Sequence, residues 1–102
     1  MLEIRPTCEN CNKNLPANSL EACICSYECT FCRACVEGVL RGVCPNCGGG
    51  FVNRPVRPKT EWRKGVSVMR QLPHADPVLK PVDVVEHKVF SAKISTISPE
   101  NR

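Results

Sequence analysis

Nine cysteines dominate the chemistry available to this sequence, and all of them lie between Cys8 and Cys47. A C-x-x-C turn lets two thiolates reach one tetrahedral Zn²⁺ from a tight loop. One such pair is a weak signal, whereas several pairs in a short chain predict a metal site. Four pairs have this spacing: Cys8/Cys11, Cys29/Cys32, Cys32/Cys35 and Cys44/Cys47.

The alternative to metal ligation is a disulfide framework, and the sequence argues against it. Nine thiols are an odd number and cannot all pair. The N-terminus carries Glu3 and Arg5 without an apolar run, so we expect no signal peptide. No stretch is long enough to span a membrane. We therefore expect a cytoplasmic protein whose reduced thiols bind two Zn²⁺ ions.

The segments around the cysteines predict a small zinc-stabilised α+β fold. Leu20–Tyr27 is consistent with a short strand, and Phe51–Val52 is expected to form a short returning strand. A helix is predicted over Arg33–Arg41, with Gly42 at its C-terminal cap. Its apolar positions are Val36, Val39 and Leu40, on the same side as Cys32 and Cys35.

Composition divides the chain into successive parts. Residues 1–53 form the cysteine-rich module, and residues 54–82 form a Pro/Arg-rich linker of extended character. A C-terminal helix occupies residues 83–96, followed by a frayed end at 97–102. The first part carries four Lys/Arg and five Asp/Glu, whereas residues 54–102 carry ten and five. Any anionic partner is therefore expected to bind the C-terminal half.

The C-terminal helix is predicted over Val84–Ile94 because Asp83 and Glu86 resemble a capping box. Its apolar face is expected to contain Val85, Val89 and Phe90. This face either packs on the metal module or docks on a partner, and packing on the same domain is the commoner use of such a face.

Without Cys23, the cysteines read C-x2-C-x13-C-x3-C-x2-C-x2-C-x8-C-P-x-C. This pattern resembles the RING finger over about Cys8–Val52. The RING motif His-x-Phe-Cys-x-x-Cys occurs here with Cys29 in place of the usual His and with Phe31 at the position of the core aromatic. The resemblance implies a RING-like cross-brace with two zinc knuckles, a short hairpin and one helix.

Carried over by position, the cross-brace implies two ligand sets. Site 1 consists of Cys8, Cys11, Cys32 and Cys35, and site 2 consists of Cys25, Cys29, Cys44 and Cys47. The alternative is a sequential pairing, as in LIM domains, in which Cys8, Cys11, Cys25 and Cys29 share one ion. Cys23 remains outside both sets. It is interpreted as a buried free thiol, with an alternative ligand or redox thiol as the competing interpretation.

The chain also resembles a bacterial family of short Cys-rich proteins known as domain of unknown function 1272. That resemblance implies a bacterial cytosolic protein and supplies no activity. It rests on the segments Arg5-Pro6, Leu15-Pro16, Ile24-Cys25-Ser26, Glu28-Cys29-Thr30-Phe31-Cys32, Cys44-Pro45-Asn46-Cys47-Gly48-Gly49 and Arg54-Pro55.

Closed four-thiolate sites leave no coordination position for a substrate, so we expect a structural module that binds a protein partner and not an enzyme. Ubiquitin-ligase activity is a competing hypothesis. RING ligases carry an apolar residue inside the first knuckle and many carry Arg after the last cysteine, where this chain has Glu9, Asn10 and Gly48. A thioredoxin-like use of Cys32 and Cys35 would require metal-free thiols.

A third hypothesis is nucleic-acid binding by the basic segment 54–70, with Trp62 stacking on a base. The competing interpretation is a solvated linker face, and Glu61 interrupts the positive charge. The basic set is Arg54, Arg57, Lys59, Arg63, Lys64 and Arg70.

The isolated His74 and His87 are expected to be solvent-facing or locally hydrogen-bonded.

Overall fold

A computed structural model describes all 102 residues and contains a three-stranded sheet and two α-helices. Strands β1 (Ala22–Ile24) and β2 (Thr30–Cys32) form an antiparallel hairpin. Strand β3 (Val52–Asn53) pairs antiparallel with the other edge of β1, so the strand order is β2-β1-β3. Helix α1 (Arg33–Gly38) follows β2 directly, and α2 (Val84–Ile94) lies near the C-terminus. The predicted small α+β fold is confirmed.

Strand β1 is shorter than predicted, and β3 starts later. β1 covers only the centre of the predicted strand, because the chain turns back between Cys25 and Cys29. Glu28 closes this turn with a φ of 66° and donates its N–H to the Cys25 carbonyl. The returning strand begins at Val52, one residue beyond the predicted start at Phe51.

Helix α1 ends at Gly38 and not at the predicted Arg41. Glycine is a poor helix former, and beyond it the Leu40 N–H bonds to the Cys35 carbonyl, a wider turn than an α-helix has. Arg41 and Gly42 then take left-handed φ values of 54° and 70°. Gly42 donates to the Val36 carbonyl, so it does cap the turn that follows the helix.

The core lies between the sheet, α1 and the loops that carry the cysteines. Leu15, Leu40 and Val43 are fully buried, and Phe31 is almost so. The Phe31 ring meets Phe51 edge to face, with ring centroids 5.6 Å apart. These few large side chains pack around cysteine sulfurs, so the hydrophobic core and the cysteine cluster are one structure.

Helix α2 spans Val84–Ile94 as predicted, and the Asp83 carboxylate accepts the Glu86 N–H at 3.0 Å. The helix packs on the cysteine-rich module, but of the predicted packing face only Phe90 contacts it. Val85 and Val89 remain 76% and 74% exposed. The buried residues are instead His87 and Ser91.

His87 is buried because its ring finds a hydrogen-bond partner in the module. The His87 Nε2–H donates to the Leu40 carbonyl at 2.9 Å, so His87 is neither solvent-facing nor locally bonded. Phe90 and Ile94 lie over Gly48, where an added Cβ would meet their side chains at 3.7–3.8 Å. Ser91 is fully buried, and its hydroxyl lies 3.4 Å from the Lys88 carbonyl of the same helix.

Residues 54–82 contain no helix or sheet strand, in line with the extended linker, yet they are tied to the module along their length. Arg54 is 3% exposed and donates to the carbonyls of Arg5, Leu15 and Pro16 at 2.8–3.0 Å. Burial lowers the pKa of its guanidinium. Arg57 likewise bridges the carbonyls of Leu2 and Gln71. The predicted division into parts at 53/54 and 82/83 stays a prediction.

The last residues, for which the sequence predicts a frayed end, form a 3-10 turn at Pro99–Asn101. Arg102 donates to the carbonyls of Gly42 and Gly48 at 2.9 and 3.3 Å. No helix is both long enough and apolar enough to cross a membrane.

Replacing Arg54 with Ala is expected to lower the free energy of unfolding by about 3 kcal/mol, because hydrogen bonds from a buried charged group are lost and carbonyls are left without donors. Arg63→Ala is the matched control, since Arg63 is exposed and its side chain makes no hydrogen bond. Denaturant unfolding of both metal-loaded variants checks this. Equal unfolding free energies would show that the Arg54 contacts contribute nothing.

Candidate metal centre

The structure gathers four cysteines into one tight group. The Sγ atoms of Cys8, Cys11, Cys32 and Cys35 all lie within 4.8 Å of one another. The Sγ atoms of Cys11 and Cys32 are 3.7 Å apart. A tetrahedral ion with Zn–S bonds of about 2.3 Å places its sulfurs about 3.8 Å apart. We name this set group 1; it has the composition predicted for site 1.

A second group forms at the hairpin turn between β1 and β2. The Sγ atoms of Cys25, Cys44 and Cys47 lie within 4.8 Å of one another. Cys29 does not belong to this tight triplet, but its thiol interacts with those of Cys25 and Cys44. We name these three cysteines with Cys29 group 2. The structure therefore brings together three of the four residues predicted for site 2 and places the fourth beside them.

The two groups alternate along the chain. The first C-x-x-C pair and Cys32/Cys35 belong to group 1, and the intervening Cys25 belongs with Cys44/Cys47. β2 and the start of α1 carry Cys32 and Cys35, so the short hairpin separates the two groups while holding both in place.

The first and last cysteine pairs have the same local construction. Both read Cys-x-Asn-Cys and are followed by a left-handed residue, Asn12 with φ 62° and Gly48 with φ 76°. The N–H of each of these residues donates to the carbonyl of the first cysteine, at 3.0 and 2.8 Å. Asn tolerates the left-handed conformation that often closes such a turn, so the sequence predicts it at Asn12, and the structure confirms it. We call these two turns, 8–12 and 44–48, the knuckles.

Amide N–H groups point at the sulfurs. Tyr27 and Gly49 donate main-chain N–H groups to Cys25 and Cys47 at 3.3 and 3.4 Å. Two side-chain amides do the same: Asn10 Nδ2 lies 3.3 Å from Cys35 Sγ, and Asn46 Nδ2 lies 3.4 Å from Cys29 Sγ. Such donors stabilise a thiolate more than a neutral thiol, so the surroundings suit ionised ligands.

Burial has the opposite effect, because it disfavours the charged form of these thiols. It raises the pKa of Cys35 and of Cys44 far above the usual value, because a thiolate without a counter-charge is costly in a dry site. Burial also raises the pKa of the more exposed Cys11. The Lys13 N–H and the neighbouring thiols lower it more, so the pKa of Cys11 falls overall. A bound cation would supply the missing positive charge, since a coordinating thiol is deprotonated by the metal.

The donor set fits a soft or borderline metal ion. All nine cysteines are free of disulfides, and the ligand atoms in both groups are sulfur. Thiolates favour zinc, copper(I) and iron–sulfur clusters over magnesium or calcium. The cysteine groups can therefore hold metal ions and stabilise the surrounding module.

Comparison with known proteins agrees with a cysteine-rich family. Residues 1–57 match a family described as "Protein of unknown function (DUF1272)". The chain belongs to the DUF1272 family. An uncharacterized protein of Rhizobium meliloti (strain 1021) is similar to this DUF1272 chain, with 55% identity over 64 residues covering 63% of this chain and 76% of the relative. No solved structure matches significantly.

Cys23 of this DUF1272 protein lies outside both groups. It is 4% exposed on β1, and burial raises the pKa of its thiol. Its closest polar neighbours are the Glu21 carbonyl and the Asn53 side chain, each 3.9 Å from Sγ. This placement agrees with a buried free thiol.

Sequence reasoning missed the roles of two residues in the first knuckle. From the sequence alone, Glu9 and Asn10 stand out only as departures from a ligase pattern. Glu9 is 3% exposed, pairs with Arg5 at 2.9 Å and accepts the Thr30 N–H. Asn10 contacts group 1 directly. The repeated Cys-x-Asn-Cys was the signal that could have pointed to Asn10 and Asn46.

The structure uses half of the predicted basic set internally. Arg54 and Arg57 donate to main-chain carbonyls, and Arg70 pairs with Glu61. Trp62 is 79% exposed. His74 is partly exposed and lies 3.2 Å from a Glu3 carboxylate oxygen, away from either cysteine group.

Cys32→Ala is expected to remove one metal ion per chain and to unfold α1, because Cys32 is a ligand-set residue at the start of that helix. Cys23→Ala is the matched control, since it removes a buried thiol of the same sheet without touching either group. Elemental analysis with circular dichroism measures both effects. A folded Cys32→Ala protein that retains as many ions as Cys23→Ala would show that group 1 is not a metal site.

Proposed function

We propose that this protein is a non-catalytic structural zinc module that serves protein–protein interaction. One Zn²⁺ is held by Cys8, Cys11, Cys32 and Cys35, and the other by Cys25, Cys29, Cys44 and Cys47. The observation that carries the proposal is the group of four sulfurs within 4.8 Å, with a separation of 3.7 Å between Cys11 and Cys32. That spacing suits a tetrahedral zinc ion.

Zinc is proposed above the other thiophilic metals because closed tetrahedral thiolate sites joined by C-x-x-C turns are its common structural form. The arrangement of the groups supports a RING-like cross-brace. In a sequential pairing, Cys25 would share an ion with Cys8 and Cys11, whereas its sulfur lies with those of Cys44 and Cys47.

A non-catalytic role is proposed because four thiolates per ion leave no coordination position for water or substrate. Ligase-like activity is not favoured, since Glu9 is buried and Asn10 is occupied by contacts within the chain. Nine free thiols also suit a reducing compartment, which supports a cytoplasmic location.

The proposed contact surface is a loop that we call the arm, residues 58–72. Its ends meet, because the Val68 N–H donates to the Pro58 carbonyl and Arg57 donates to the Gln71 carbonyl. Within it, Trp62, Met69 and Leu72 are 79%, 72% and 69% exposed. Compact surface loops with large exposed apolar side chains commonly mark sites of protein contact.

Nucleic-acid binding is not favoured by the arm. Of the predicted basic set, only Lys59, Arg63 and Lys64 make no side-chain hydrogen bond or ion pair within the chain. The cysteine-rich module is also acidic once thiolates are counted, which would repel phosphate.

Removal of zinc by a strong chelator is expected to unfold residues 1–53, because structural zinc contributes about 10–16 kcal/mol in small domains. Circular dichroism and near-ultraviolet absorbance follow the loss, and added Zn²⁺ restores the fold. A chelated, metal-free chain with unchanged spectra and unfolding would contradict the structural role of zinc.

The partner is tested by photo-crosslinking in the source cells, with a photoreactive phenylalanine analogue placed at Trp62. The same analogue at Leu20, which is also 79% exposed, is the control. A discrete adduct specific to position 62, sensitive to protease and resistant to nuclease, is expected. A nuclease-sensitive adduct would favour nucleic acid, and identical patterns from both positions would contradict an interaction role for the arm.

A further inference from the structure

Residues 80–83, which we call the strap, cross from one knuckle to the other just before α2 begins. The Lys80 N–H donates to the Glu9 carbonyl at 2.7 Å, and the Val82 N–H donates to Asn10 Oδ1 at 2.9 Å. At the other knuckle, Lys80 Nζ lies 3.4 Å from Asn46 Oδ1. The strap and α2 thereby line a cleft of about 370 Å³ together with residues of both knuckles.

The two knuckle asparagines face a sulfur with one end and the strap with the other. Asn10 directs its NH₂ at Cys35 and its carbonyl oxygen at the Val82 N–H. Asn46 directs its NH₂ at Cys29 and its oxygen at the Lys80 ammonium. Both residues occupy the same position of the Cys-x-Asn-Cys turn, so the arrangement is a property of the knuckle.

A metal-bound sulfur restricts which way each amide can point. A neutral thiol can donate or accept a hydrogen bond, so either end of the amide can face it. A metal-bound thiolate only accepts, so the NH₂ must face the sulfur and the oxygen must face the strap. A bound metal ion therefore keeps Asn10 Oδ1 directed at the Val82 N–H, which requires an acceptor.

We infer that Asn10 and Asn46 are positioning residues that couple metal loading of the two groups to docking of the strap and α2. This inference rests on the proposed zinc module. Coupling is reciprocal: if bound metal favours the docked strap, the docked strap raises the affinity for metal by the same factor. We expect most of that gain as slower metal loss, since affinity differences between related complexes lie mainly in the dissociation rate. The hydrogen bond from Val82 to Asn10 is the stronger connection, because the Lys80 contact is long and exposed.

When the strap is docked, α2 makes further contacts with the module. His87 reaches the Leu40 carbonyl, and Phe90 and Ile94 lie over Gly48 of the second knuckle. These contacts follow the strap directly in sequence, so release of the strap would remove the constraint that places α2 on the module.

The direct test changes the strap and leaves every cysteine and asparagine in place. Val82→Pro removes the N–H that binds Asn10 while keeping a similar apolar volume. Leu79→Pro is the matched control, because the Leu79 N–H makes no hydrogen bond and its side chain is 51% exposed. The probes are the rate of Zn²⁺ release to a chromogenic chelator and amide hydrogen exchange of the full-length chain.

Val82→Pro is expected to retain two Zn²⁺ ions and to release one of them about fivefold faster than Leu79→Pro, the size expected for one hydrogen bond. Amide exchange should rise by a similar factor at Lys80 and within α2. Wild-type release and wild-type protection in Val82→Pro would overturn the inference while leaving the zinc module intact.

A second set of variants tests the coupling by changing the asparagines of the knuckles. Asn10→Ala is expected to reproduce both effects, and Asn46→Ala to show a smaller one. Asn18→Ala is the control, since that exposed side chain makes no hydrogen bond. If Asn10→Ala leaves exchange at Lys80 unchanged, the inference fails. If the wild-type chain binds no Zn²⁺, the proposed function itself fails, and the two outcomes are thus distinct.

Discussion

The burial of cysteine sulfur is the constraint on which the rest of this structure depends. Six of the ten residues in the largest buried cluster are cysteines, and only Leu15, Phe31 and Leu40 add large apolar side chains. Just 22 of 102 residues are buried, so apolar burial alone provides a small driving force for folding. The thiols stand in a dry region where burial disfavours their charged form, yet N–H groups are directed at them as they would be at thiolates. A cation in each group would reconcile these two features.

The C-terminal half depends on the same constraint, since it lacks an extensive core of its own. Residues 54–82 reach the module through buried or half-buried hydrogen bonds, of which those from Arg54 are the most enclosed. The strap then connects both knuckles, and α2 follows it onto the module. Val85 and Val89 stay exposed because the side of α2 that meets the module is the one on which His87 reaches the Leu40 carbonyl and Phe90 and Ile94 lie over Gly48.

Much of the module could be predicted from cysteine spacing and turn chemistry. The C-x-x-C pairs, the left-handed Asn12 and the Asp83 cap are local features, and each is present as expected. Contacts between distant segments were not predictable in this way. The burial of His87 depends on a carbonyl 47 residues earlier in the chain, and Asn10 binds a segment 72 residues later. The early end of α1 combines the weak helix propensity of Gly38, which the sequence shows, with the hydrogen bond from the Leu40 N–H to the Cys35 carbonyl, which it does not.

The most direct test of this account is the metal and thiol content of the full-length chain purified without added metal. Native mass spectrometry gives the number and identity of the bound ions, and mild alkylation followed by peptide mapping identifies the thiols that remain free. The account predicts two zinc ions per chain and no thiol open to mild alkylation, because eight thiols bind metal and Cys23 is only 4% exposed. A chain with no bound metal, with one ion, or with oxidised thiols would contradict it.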